Sequence, residues 1–141
     1  MKQNRALPLI LFFMILHASS FAKGDEPIKA YLDLAPFSFT TRHAPATRDD
    51  ILSRKWEVWT ITSQADKERL RQILNTGAKY EFDKDYLRIV IVDNNDEYHI
   101  TYGGVVKKND ETSLRLDRDE LMKFQQSLDK SQREVRPLVF Q

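Results

Sequence analysis

The chain has 141 residues, 41% apolar and 30% charged, a balance that belongs to a folded domain and excludes a disordered one. One core of ordinary size fits this length and two do not. With 22 Lys and Arg against 21 Asp and Glu, no overall field selects nucleic acid or an anionic surface, and the lack of cysteine removes disulfides, thiolate catalysis and cysteine-ligated metals.

Lys2 and Arg5 precede an apolar run from Ala6 to Leu16, followed by His17, Ala18, Ser19, Ser20, Phe21 and Ala22. Small residues at Ser20 and Ala22 suit the −3 and −1 subsites of a signal peptidase. Residues 1–22 are therefore expected to be a cleaved secretory signal, leaving 23–141 as the mature domain. A membrane-crossing helix needs about 20 apolar residues, and Lys23, Gly24, Asp25 and Glu26 end this run sooner, so no stable membrane anchor is expected after cleavage. Small extracellular animal domains usually rely on disulfides. An exported domain without cysteine fits a bacterial envelope better, with the periplasm as the expected location and release to the medium as the alternative.

Residues 23–54 read as an extended segment and loop, and 55–141 as a single α+β domain. Ile28, Ala30, Leu32 and Leu34 alternate with Lys29, Tyr31 and Asp33, the period of a strand. Pro36 interrupts it before Phe37 and Phe39, which predicts an edge strand or a cover strip. Thr40 to Asp50 reads as loop, with Thr47 and Asp50 spaced to cap one helical turn reaching about Ser53. Lys55 to Thr62 is rich in β-formers, with Trp56, Val58 and Thr60 on one face and Glu57, Trp59 and Ile61 on the other. Ser63 and Asp66 cap a helix whose stripe is Leu70, Ile73 and Leu74, with Lys67, Glu68, Arg69 and Arg71 toward water and Gly77 as its left-handed stop. Lys79 to Phe82 alternates briefly, which predicts a short added strand, and Asp83 to Asp85 makes a turn.

The stretch Leu87 to Leu116 reads as folded-back β-ribbon. Centring its first turn on Asn94 and Asn95 pairs Ile91 with Tyr98, Ile89 with Ile100 and Leu87 with Tyr102 on the core face. The other face then carries Val92 with Glu97, Val90 with His99 and Arg88 with Thr101. Asp93 opposite Asp96 is a like-charge pair, which predicts a looser loop in the same register. A second turn at Asn109 and Asp110 pairs Lys108 with Glu111 and Val105 with Leu114. Core positions would then shift from even to odd, and Gly103 and Gly104 are expected to absorb the difference as a bulge or tight turn. Asp117 and Glu120 open a last helix, to about Lys130, with Leu121, Phe124 and Leu128 buried and Met122 on the shoulder. The apolar run from Val135 to Phe140 is expected to be tied down against the body.

The order β-α-β-β-β-α predicts an α+β fold, with a mostly antiparallel sheet of about four to six strands and two main helices on one face. Trp59, Arg88, Val90, His99, Thr101 and Arg115 are the candidate binding residues on the opposite face, half apolar and half basic. Beyond the leader the histidines are His43 and His99, not spaced for a metal site. Asp93, Asn95 and Glu97 imitate a calcium loop only until Tyr98 stands where glycine is needed and Gly104 where glutamate is needed. Gly103 and Gly104 lack the Lys-Ser/Thr and helix of a phosphate loop. No catalytic set, metal or cofactor is expected. In plan the chain is similar to small bacterial envelope inhibitors, a likeness of architecture alone. It predicts an exported binding protein of inhibitor or immunity type that occludes another envelope protein, with a cell-envelope hydrolase using His99, or a small-ligand carrier, as alternatives.

Overall fold

A computed structural model describes residues 26–33, 45–54 and 56–136. The leader, Phe37, Phe39, His43 and the run 137–141 lie outside the described residues. The fold is α+β, built on an eight-stranded sheet: β1 (Ile28–Leu32), β2 (Glu57–Ile61), β3 (Ala78–Lys79), β4 (Leu87–Asp93), β5 (Asp96–Thr101), β6 (Val105–Lys108), β7 (Leu114–Arg115) and β8 (Arg133–Val135). Three helices accompany it among the described residues: α1 (Arg48–Arg54), α2 (Gln64–Leu74) and α3 (Arg118–Ser127). The sheet order is β3-β7-β6-β5-β4-β1-β2-β8, with antiparallel pairing throughout the described residues.

The sheet is larger than the sequence pattern predicts, and there is a third helix. β7 falls within the expected ribbon and β3 overlaps the expected short strand only at Lys79, whereas β8 has three residues, too few to show a period, and exists because β2 offers it hydrogen bonds. Another correction concerns β1. It is no edge strand, because β2 and β4 flank it with Ala30 opposite both Trp59 and Ile91. Pro36 lies outside the described residues.

Helix starts follow local chemistry. Thr47 and Asp50 form a reciprocal box at α1, the Asp50 carboxylate accepting from the Thr47 backbone at 2.9 Å and the Thr47 hydroxyl from the Asp50 backbone at 3.2 Å. Ser63 Oγ caps α2 through Asp66 N at 3.2 Å, and Asp117 caps α3 through the backbone N–H groups of Asp119 and Glu120. Gly77 does not stop α2. Asn75 does, its backbone and side-chain amides both donating to Arg71 O, while Gly77 is needed because a Cβ there would lie 2.0 Å from the Arg115 carbonyl oxygen. Lys67 is buried with Leu70 and Leu74 instead of facing water.

α2 and α3 pack on one sheet face. Their Leu70, Leu74, Leu121 and Phe124 join Ile28, Ala30, Leu32, Trp59, Ile61, Ile89, Ile91, Tyr98, Ile100 and Val106 in the main core. α1 covers part of the other face, where Ala46 and Ile51 pack with Leu87 and Val90, flanked by Tyr31, Leu52 and Phe82. The first ribbon hairpin has the predicted register at Ile91–Tyr98 and Ile89–Ile100. Leu87, however, pairs with Thr101, because a bulge between Leu87 and Ile89 moves it to the smaller cluster. The Asn94–Asn95 turn stays tight, with Asn94 at φ 53°. Its two aspartates are held apart electrically: Arg71 clamps Asp93 through two hydrogen bonds of 2.6 and 2.8 Å, while Asn109 Nδ2 donates to Asp96 at 3.0 Å.

The second hairpin also departs from expectation. Tyr102, Gly103 and Gly104 make a three-residue loop, Gly104 at φ +79° with its N–H on Thr101 O at 2.9 Å. Ile100 therefore pairs with Val106, core positions remain even, and no parity change occurs. Asn109 extends the β5–β6 pairing through its N–H to Glu97 O and its Oδ1 from Glu97 N, so β6 meets β7 one residue later, as Val106–Leu114 and Val105–Arg115.

Candidate functional site

The six candidate binding residues do not form one exposed surface. Trp59 lies on the helix-covered face, 1% exposed, with its ring centroid 5.9 Å from that of Phe124. Its Nε1 donates to Glu57 Oε1 at 2.9 Å. Arg88 is the extra residue of the β4 bulge, buried, and donates to the carbonyl of Leu87 at 2.7 Å. Val90 is sealed beneath α1, and Thr101 is buried with its hydroxyl accepting from Val105 N at 3.2 Å. His99 and Arg115 remain accessible on the outer face.

Around these two the sheet assembles residues that the ribbon pattern did not single out. Glu97 stands two positions before His99 on the same strand face. Its Oε1 lies 2.7 Å from His99 Nε2, and its two oxygens accept from Arg48 Nε at 2.5 Å and Nη2 at 3.1 Å. The fork from Arg48, more than the His99 contact, holds the Glu97 carboxyl below its usual pKa against partial burial, and Arg48 is raised in turn. Across the ladder Lys107 pairs with His99 and places its Nζ 5.8 Å from the centre of the Phe82 ring. One strand further, the Arg115 guanidinium lies 4.0 Å from the centre of the Tyr80 ring, itself 47% exposed. The alternation of Tyr80 with Phe82 is visible in the sequence. Arg48 could not have been found there, since 49 positions separate it from Glu97.

The outer strip thus holds a charge-compensated Arg48–Glu97–His99 group beside two cation–aromatic stacks. Among the described residues no group of three or more His, Asp or Glu is arranged to hold a metal, and no helix is long and apolar enough to cross a membrane. A cavity of about 340 Å³ between α2 and α3 is lined by Arg69, Gln72, Ile73, Thr76, Asp117 and Glu120. The space between helices and sheet is filled by Trp59, Phe124 and their aliphatic neighbours. No protein-family model, curated protein or solved structure matches this chain.

Proposed function

We propose that this chain is exported to the periplasm and acts there as a binding protein of inhibitor or immunity type, occluding another envelope protein without turning over a substrate. The observation that carries this reading is the strip of stacked cations and rings, Arg115 on Tyr80 and Lys107 on Phe82, beside His99. Aromatic and arginine side chains contribute disproportionately at protein interfaces, because they bury large area with few rotors. Stacking also fixes each cation before the partner arrives, which lowers the ordering cost of binding. Export is supported by the basic, apolar and small-residue order of 1–22.

The test is capture by purified mature protein from an envelope extract. One stoichiometric partner is expected with the wild type, and its loss with Arg115→Ala. Undiminished capture by a folded Arg115→Ala variant would discard the strip as the contact.

A second reading rests on the 2.7 Å contact between Glu97 Oε1 and His99 Nε2. A carboxylate in that position orients the imidazole, leaving Nδ1 to move a proton during hydrolysis of envelope material. It predicts turnover of a cell-wall substrate that disappears in His99→Ala. A wild-type rate in that variant removes His99 from the chemistry.

A further inference from the structure

Among the described residues β8 ends the sheet order, and the way it pairs with β2 shows which of its backbone groups are spent. Thr60 N donates to Gln132 O at 2.8 Å and Arg136 N donates to Trp56 O at 2.9 Å. With Val58 opposite Glu134 midway, residues 132, 134 and 136 turn their amides toward β2. Arg133 and Val135, in the intervening positions opposite Trp59 and Glu57, must turn theirs toward the edge that no described strand covers. An edge of this kind is a template for another strand unless it is blunted. No proline or bulge interrupts Arg133–Val135, and Val135 is 59% exposed, the largest value among the exposed large hydrophobics.

The side chains specify what fits. If a second β8 approaches antiparallel about a two-fold axis at Val135, Val135 meets its own copy as a hydrogen-bonded pair. Glu134 then stands opposite Arg136 of the other copy, and the symmetry repeats that contact. Directly opposed residues of opposite charge are favourable, and like charges are not. A shift of two residues that pairs Arg133 with Val135 would set Glu134 against itself. Only the Val135-centred register matches both the direction of the open amides and the charge order Glu134, Val135, Arg136.

We infer that the β8 edge is a self-association surface, through which two copies of this chain join their sheets with Val135 at the two-fold axis and Glu134–Arg136 pairs on either side. The contact is short. Two backbone hydrogen bonds and two exposed ion pairs are modest, so association falls in the high-micromolar range. It is also separate from the Tyr80–Arg115 strip, which lies toward the opposite edge of the sheet.

Sedimentation equilibrium of the mature chain, from micromolar to millimolar concentration, tests this. A monomer–dimer equilibrium is expected for the wild type, weakened at least tenfold by Glu134→Arg and by Arg136→Glu, and regained when both reversals are combined. Hydrogen exchange should show the Val135 amide gaining protection as concentration rises, a readout independent of any variant. A wild type that stays monomeric at millimolar concentration overturns the inference. So does a dimer indifferent to both single reversals, because it must use another surface.

Discussion

The two faces of the sheet differ in how much of their charge the fold uses up. On the helix-covered face the ionic groups are consumed by the fold. Glu57 accepts from Trp59 Nε1 at 2.9 Å, from Gln125 Nε2 at 3.0 Å and from the Arg133 guanidinium, tying β2, α3 and β8 together at one carboxylate. Burial opposes ionisation of Glu57, yet these three donors outweigh it and hold its pKa below the usual value. Asp93, clamped by Arg71, does the same work between the β4–β5 hairpin and α2. On the outer face Arg48 and Glu97 also tie α1 to β5, but Lys107 lies against the half-buried Phe82 ring and Arg115 against the exposed ring of Tyr80. Charges closed into the core hold elements in register, whereas Arg115, laid on the exposed ring of Tyr80, remains available to a partner.

That division can be broken from either side. The largest effect belongs to Trp59→Ala, which empties a fully buried site and removes one donor to Glu57, a loss of about 3–5 kcal/mol in denaturant unfolding. Next comes Glu57→Ala, expected to cost about 2–3 kcal/mol because the Trp59, Gln125 and Arg133 donors lose their common acceptor. Under α1, Ile51→Ala should cost about 2 kcal/mol, the low end for a buried aliphatic, since its cluster is small and can partly close. Tyr80→Ala or Arg115→Ala should change stability by less than about 1 kcal/mol, as an exposed cation–aromatic contact allows.

Acid pH gives a separate test of the carboxylates. Glu57 and Glu97 both have folded pKa values below their ordinary 4.5. The folded state therefore binds fewer protons than the unfolded one. Their contribution is complete above the unfolded value and is lost as pH falls through the depressed folded values. Melting temperature should fall on acidification below about pH 4.5, and Glu57→Gln should flatten that fall. An unchanged acid slope in Glu57→Gln would show that the carboxylate is not held ionised by its three donors.

What was legible in the chain was local. All three helix starts followed from a capping side chain and an acid three residues on, and the Ile89–Ile100 and Ile91–Tyr98 pairs followed from period-two alternation about one turn. What failed was set by distant partners or by single-residue shifts. β1 became central because β2 and β4 close on it from both sides. The three-residue β8 carries too little period to be read as a strand. The bulge at Arg88 turned Leu87 to the other face, and the extra pairing of Asn109 advanced β7 by one. Trp59 had apolar neighbours on both sides of its strand, so alternation could not say which face the helices would cover. His99 and Arg115 stayed accessible because, among the described residues, α1 covers the outer face at β4 and β1 and not at β7.

The most direct test of the division between faces is a pair of measurements on one double variant, Tyr80→Ala with Arg115→Ala. Capture of the envelope partner should be lost while the melting curve stays close to that of the wild type. Capture at the wild-type level, with the same melting curve, would contradict the assignment of the outer strip as the surface on which this protein acts.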